Sequence, residues 1–248
     1  MNNCWPQVQL PKSLSPNVVH VWRVSSAVDE KQLGSLTQIL SSDEKKRSAA
    51  FHFEVDRRRF VIAHGSLRLL LAAYLRVEPE SLTLVPDSHG KPRLAVPAGR
   101  NLRFNLSHSG EMALHAFCTG REVGVDVEKI RNNVDELAIA RQVFTHDEVS
   151  QLEALPGNER AAAFFNAWTR MEALAKASGL GLSLIPRKGI SLPPEIEETS
   201  TVKAKDCSGR EAVWQIVSLR PGLGYKGAVA AEGADWKIEC MEWLFDAG

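Results

Sequence analysis

Two short stretches carry residue types that could do chemistry. In "GVDVEKI", residues 124–130, Asp126 and Glu128 ride on a run that otherwise reads as a buried strand. Side chains alternate between strand faces, so Val123, Val125 and Val127 take one face and Gly124, Asp126 and Glu128 the other. The two carboxylates then stand about 7 Å apart along the strand. Their repulsion must be screened by water or neutralised by a cation. A solvated strand face and a metal site both meet that need. In "WTRMEALAKA", residues 168–177, Trp168, Glu172 and Lys176 recur every four residues and share one helix face. Glu172 and Lys176 could form an ordinary surface ion pair. The tryptophan one turn earlier suggests instead that the stripe faces inward, where Glu172 could join Asp126 and Glu128. Three oxygen donors without sulfur or clustered histidine suit a hard ion such as Mg²⁺, which often takes further ligands from phosphates. Lys176 would then be available for a phosphate.

A second group of candidates is more dispersed. "FNLSHSG", residues 104–110, gathers Ser107, His108 and Ser109 at a strand end, where side chains can reach a ligand; a purely structural histidine fits as well. In "DEKKRSAAFHFEVDRRRF", residues 43–60, most charges read as a solvated helix face, with Arg47 and Arg59 as phosphate candidates. Lys91, in "GKPR", is another. No GxSxG elbow, GxxxxGK[ST] loop or HExxH pair occurs, which argues against a serine hydrolase, a P-loop nucleotidase and a zinc peptidase.

Elements must position these residues. The pattern predicts a strand over 18–24, a helix over 28–40, and a helix start at the capping box Ser41-x-x-Glu44. A long amphipathic helix opens at Asp56, followed by strands at 82–85, 103–106 and 112–118, with a turn-rich loop at "PDSHGKPR". Thr145-x-x-Glu148 repeats the capping box 104 residues later, and 158–177 repeats the long helix. That shift lays Phe60 on Phe164, His64 on Trp168 and Arg68 on Glu172. Further strands are expected at 189–192, 212–219, 227–231 and 236–243. The expectation is an α+β chain of two similar halves, each a small antiparallel sheet with a long helix packed on it. Residues 1–16 read as an irregular segment, 17–119 as the first half and 120–248 as the second.

Bulk properties narrow the classes. The chain has 248 residues, 44% hydrophobic and 24% charged, enough for a sizeable core. A formal net charge of zero argues against a broad nucleic-acid surface. Cys4, Cys118, Cys207 and Cys240 are scattered, which speaks against zinc and for reduced thiols. The start lacks a signal-peptide pattern, and no apolar run approaches the roughly 20 residues that span a bilayer. A soluble cytoplasmic protein is expected.

Taken in order, "GKPR", "FNLSHSG", "GVDVEKI" and "WTRMEALAKASGLGL" resemble the 4′-phosphopantetheinyl transferases. The likeness is to their long, pseudo-dimeric class, which primes carrier proteins of nonribosomal peptide, polyketide and fatty-acid synthesis. It implies two α/β halves related by a pseudo-twofold, with coenzyme A bound between them. It also implies Mg²⁺-dependent transfer of the phosphopantetheine arm to a carrier-protein serine, releasing adenosine 3′,5′-bisphosphate. By that resemblance Asp126, Glu128 and Glu172 hold the metal, and Glu172 and Lys176 are catalytic. Arg47, Arg59, Lys91, Ser107 and His108 line the coenzyme A site, with His108 near the 3′-phosphate. A monomer is expected, with coenzyme A and a carrier protein as partners and neither nucleic acid nor membrane. The chain departs from the family at Met171, where a lysine is usual. Neighbouring Arg170 could replace that charge, or the methionine could fill an apolar contact. Two rival readings stay open: a coenzyme A-binding protein without transfer activity, and a Mg²⁺-dependent phosphohydrolase.

Overall fold

The computed structural model describes residues 4–9, 11–87, 90–95, 101–131, 133–181 and 199–245. They fall into two compact units. The first contains Cys4–Gly120 and takes back the chain from Lys237 onward; the second contains Arg121–Trp236.

Following the chain, the first unit has β1 (Gln7–Val8), β2 (Val18–Ser25), α1 (Glu30–Gln38), α2 (Ser42–Ala49) and α3 (Glu54–Leu75). After α3 come the short strands β3 (Leu84–Pro86) and β4 (Pro92–Leu94), then the hairpin β5 (Leu102–Ser109) and β6 (Met112–Thr119). The second unit has β7 (Val123–Lys129), α4 (Glu136–Val143), α5 (His146–Glu153) and α6 (Gly157–Ser178). It continues with β8 (Thr199–Lys205), β9 (Glu211–Leu219) and β10 (Tyr225–Glu232). Strand β11 (Lys237–Trp243) belongs to the first unit again.

Local chemistry fixes several boundaries. Ser41 and Thr145 both form closed capping boxes, each hydroxyl accepting the backbone N–H of a glutamate whose carboxylate accepts the cap's own N–H. Asp29 does the same for α1 with Gln32. Helix α6 ends at Gly179, whose φ of 71° is left-handed and costs glycine little.

The two units repeat one connectivity. In the first, β2 precedes three helices and pairs antiparallel with β6, the second strand of the following hairpin; the order is β1-β11-β2-β6-β5. In the second, β7 precedes three helices and pairs antiparallel with β10, giving β7-β10-β9-β8. The third helix has 22 residues in each. A shift of 104 carries Ser42–Ala49 onto His146–Glu153, as the capping boxes suggest. Trp22, Leu67, Leu70 and Phe117 are central to the core between α3 and the first sheet. Phe164, Met171, Leu174, Trp214 and Ile216 do the same beneath α6. The protein is therefore α+β, with a long helix laid on each sheet.

Several expectations are corrected. β11, read as part of the second half, inserts between β1 and β2 and runs parallel to both, so the first sheet is mixed rather than antiparallel. Its partner β1 lies within the segment read as irregular. Part of the "PDSHGKPR" loop is strand, since Pro92–Leu94 pairs with Leu84–Pro86. Helix α4 and strand β8 had not been anticipated. The strand expected at 189–192 lies outside the described residues.

Candidate active site

The site expected from the sequence divides into two groups, one in each unit. In the second unit, α6 lies directly on β7. Gly124 makes this possible: a Cβ there would stand 2.2 Å from the Ala173 carbonyl oxygen and 2.4 Å from the Ala177 backbone nitrogen. No side chain fits, so the helix backbone rests on the strand at that point. Strand alternation then aims Asp126 and Glu128 along the same α6-facing side, while Val125 and Val127 are buried on the other. Lys176 spans the two elements. Its Nζ donates to Asp126 Oδ1 at 2.6 Å and to the Val125 carbonyl at 3.3 Å. Asp126 is buried, with 4% of its surface exposed. The lysine thus pairs across to the strand, which replaces the reading of a surface Glu172–Lys176 bridge.

Glu172 lies one turn before Lys176 and is partly buried. Burial is the main cause that pushes its carboxyl above the ordinary range; the Lys176 ammonium opposes this, and the Asp126 and Glu128 charges reinforce it. The three acids therefore sense one another. Among the described residues no three His, Cys, Asp or Glu side chains converge closely enough to hold a metal as they stand. The chain's own cations engage two of the acids: Lys176 holds Asp126, and Arg131 lies 3.5 Å from Glu128.

Neighbouring helix positions have other tasks. Met171 is 5% exposed and packs in the apolar cluster beneath α6. Arg170 is 2% exposed and donates to Ser218 on β9, at 2.9 Å, and to Ser200 on β8. Those strands lie on the far side of β10 from β7. Arg170 therefore does not stand in for a lysine beside Glu172. Trp168 is partly buried and stacks on Phe164, with ring centroids 6.0 Å apart.

In the first unit, Ser107 and His108 are consecutive on β5 and so take opposite faces. His108 continues the row of Leu102, Phe104 and Leu106 toward α3 and is exposed, while Ser107 is buried with Asn105. Arg59 is tied to Asp56 and to Glu111 at the β5–β6 turn. Arg47 is exposed and lies over the Phe60 ring, 5.2 Å from its centroid. Both arginines thus stand about the first turns of α3, and His108 is two residues from the turn that Arg59 reaches. Lys91 is in the loop entering β4, its backbone N–H donating to Asp87 at 3.0 Å.

The model of the 4′-phosphopantetheinyl transferase superfamily matches residues 122–229. A model described as 4′-phosphopantetheinyl transferase, N-terminal, matches residues 24–119. The chain is 36% identical over 233 residues to the 4′-phosphopantetheinyl transferase HetI of Nostoc sp., covering 92% of this chain and 95% of that one. The chain belongs to the 4′-phosphopantetheinyl transferase superfamily. It is also similar to a putative 4′-phosphopantetheinyl transferase of Synechocystis sp., with 37% identity over 58% of this chain and 59% of the other. The 4′-phosphopantetheinyl transferase Sfp of Bacillus subtilis is 25% identical over 79% and 84% of the two chains. As a 4′-phosphopantetheinyl transferase, the protein is an enzyme that transfers a phosphopantetheine group. The superfamily match spans Asp126, Glu128, Glu172 and Lys176; the N-terminal match spans Arg47, Arg59, Lys91, Ser107 and His108.

Two features of these units escaped the sequence reading. The tight fit at Gly124 has no local signal, because what it meets arrives 49 residues later. Glu44 was read only as a capping residue. It also accepts from Arg68 Nε at 2.6 Å and pairs with His64 Nδ1 at 3.3 Å, all three side chains being buried. Burial alone would raise its pKa, but bonds from His64, the Ser41 backbone and Arg68 hold it at about 2. The placing of Arg68 on Glu172 in the repeat was the available signal that this helix position carries charge inward.

Proposed function

We propose that the protein transfers the 4′-phosphopantetheine arm of coenzyme A to a serine hydroxyl of an apo carrier protein, with Mg²⁺, releasing adenosine 3′,5′-bisphosphate. The observation that carries this reading is the Lys176–Asp126 contact at 2.6 Å, with Glu128 and Glu172 on the same strand–helix seam. The donor set fits the ion: three carboxylates, all oxygen, with burial first and the charges of the other two second raising the Glu172 carboxyl above its ordinary range. Asp126, Glu128 and Glu172 would hold it. When bound, Mg²⁺ supplies positive charge against the pyrophosphate of coenzyme A.

The chain's own groups perform the rest. Lys176 gives its ammonium to the pyrophosphate, where negative charge grows as the reaction proceeds. Glu172, on the same seam, takes the proton of the carrier serine. A bond forms from the serine Oγ to the β-phosphorus. The bridging P–O bond breaks, and its electron pair leaves on the bisphosphate. In the first unit, Arg47, Arg59, Lys91 and Ser107 serve coenzyme A, and His108 serves its 3′-phosphate. Among the described residues no helix is long and apolar enough to cross a membrane. The same reading makes the enzyme a cytoplasmic monomer whose four cysteines form no disulfide.

The test is intact-mass spectrometry of an apo carrier protein incubated with this chain, coenzyme A and Mg²⁺. The expected result is a carrier heavier by one phosphopantetheine arm, with chelator stopping the reaction. Release of bisphosphate while the carrier stays unmodified would instead favour a phosphohydrolase. Coenzyme A binding without turnover would favour a binding protein.

A further inference from the structure

We propose that Glu111 is a positioning residue of the transferase: it holds the Arg59 guanidinium in the orientation that receives coenzyme A. This rests on the transferase reading above, in which Arg59 serves that ligand.

Three elements of the first unit meet at Glu111. Strands β5 and β6 pair as far as Ser109 and Met112, so Gly110 and Glu111 alone make the turn between them. Gly110 has a φ of 56°, the left-handed backbone that so short a turn requires. The Glu111 carbonyl accepts the backbone N–H of Ser26 at 3.0 Å, which fixes the turn to the residue that follows β2. The carboxylate divides between two donors. One oxygen accepts from Arg59 on α3, and the other accepts from the Ser26 hydroxyl. Glu111 is thereby held at both carboxylate oxygens and at its backbone, although 56% of its side chain is exposed.

An exposed ion pair adds little to folding stability. Its effect on the arginine is larger. An untethered arginine side chain spreads over many rotamers, and a ligand that binds it must first order it. Arg59 is ordered in advance, by Glu111 on one terminal nitrogen and by Asp56 at 3.3 Å on the other. Each of those nitrogens carries two N–H groups, so one contact on each leaves a second N–H for a phosphate. A carboxylate on an arginine could also act as a competitor that phosphate displaces. Ser26 argues against that role: its hydroxyl and its N–H both keep Glu111 in place.

The test is calorimetry of coenzyme A binding to the full chain with Mg²⁺, for wild type, Glu111→Ala, Arg59→Ala and the double variant. Glu111→Ala keeps the backbone bond to Ser26, so the turn stays and only Arg59 is released. It should weaken coenzyme A by about 5-fold, the scale of ordering one long side chain. In the Arg59→Ala background the same change should matter by less than about 2-fold, because nothing is left for Glu111 to orient. Glu111→Gln should stay within about 2-fold of wild type, since its amide can still accept from Arg59 and donate to Ser26. Melting temperatures should differ by no more than about 3 °C, as for an exposed pair. Unchanged or tighter binding by Glu111→Ala, no loss in Arg59→Ala, a glutamine variant as weak as the alanine one, or an equal loss with and without Arg59 would overturn the proposal. A much larger fall in melting temperature would make Glu111 a structural residue and overturn it too. If wild type modifies the carrier and Glu111→Ala binds as wild type, this proposal fails alone. If wild type does not modify the carrier, the transferase reading fails and takes this one with it.

Discussion

Met171 and Glu172 are neighbours in sequence with opposite surroundings. Glu172 lies on the seam with β7, whereas Met171 is buried in the apolar cluster beneath α6. Where the family resemblance leads one to expect a lysine, Met171 contributes packing, and the neighbouring Arg170 is bound to Ser218 and Ser200. Met171→Lys should therefore not speed transfer. It should destabilise by about 2–4 kcal/mol, since a buried ammonium there has no partner. For a chain of this size that is a fall in Tm of roughly 5–10 °C. Higher turnover with an unchanged melting curve would show that the site lacks a lysine rather than having closed over its place. His108 is testable at the same scale. Its exposed place at the end of β5 suits a phosphate contact, so His108→Ala should cost about 1.5–3 kcal/mol for coenzyme A and little for dephospho-coenzyme A. Equal losses for the two ligands would make it a structural histidine.

At the scale of elements, the decisive contact is α6 on β7. Gly124→Ala forces the helix backbone away from the strand, because the atoms in the way are Ala173 O and Ala177 N rather than a flexible side chain. The expected cost is about 3 kcal/mol, read from a denaturant midpoint. Transfer should fall further than stability, since Lys176 and Glu172 shift relative to Asp126. Wild-type activity in a folded Gly124→Ala variant would contradict this coupling. The link between α2 and α3 has a pH signature. Glu44 has a folded pKa of about 2, below its ordinary 4.5, so its contribution is fully present above pH 4.5 and lost as pH falls through about 2. Glu44→Gln leaves Arg68 buried with less compensation and should cost about 3–5 kcal/mol at neutral pH. The gap between wild type and variant should narrow in denaturant midpoints taken from pH 7 to pH 3. A constant gap would mean that the carboxylate's charge is not what matters.

At the scale of the whole molecule, much of the architecture was legible because its signals are local. Capping boxes at Ser41 and Thr145 announce helices from four residues each. The alternation of β7 reveals the paired acids without knowledge of their surroundings. What stayed hidden depends on distant partners. Strand β11 reads as another strand of the second half, yet it pairs with β2 more than two hundred residues earlier, in a parallel register that no hairpin turn dictates. The inward aim of Arg170, the fit at Gly124 and the second task of Glu44 all require knowing which element lies opposite. Four-residue periodicity places Trp168, Glu172 and Lys176 on one stripe, but only the β7 contact shows that Lys176 reaches Asp126.

The central claim is that phosphopantetheine transfer takes place at the β7–α6 seam. The most direct measurement compares wild type with Asp126→Ala in the intact mass of an apo carrier protein, with coenzyme A and Mg²⁺ present and circular dichroism confirming the fold of both. Removing Asp126 takes away a proposed metal ligand and the partner of Lys176 together. The account predicts a fully modified carrier with wild type and an unmodified one with a folded Asp126→Ala. A folded Asp126→Ala that modifies the carrier at the wild-type rate would contradict it.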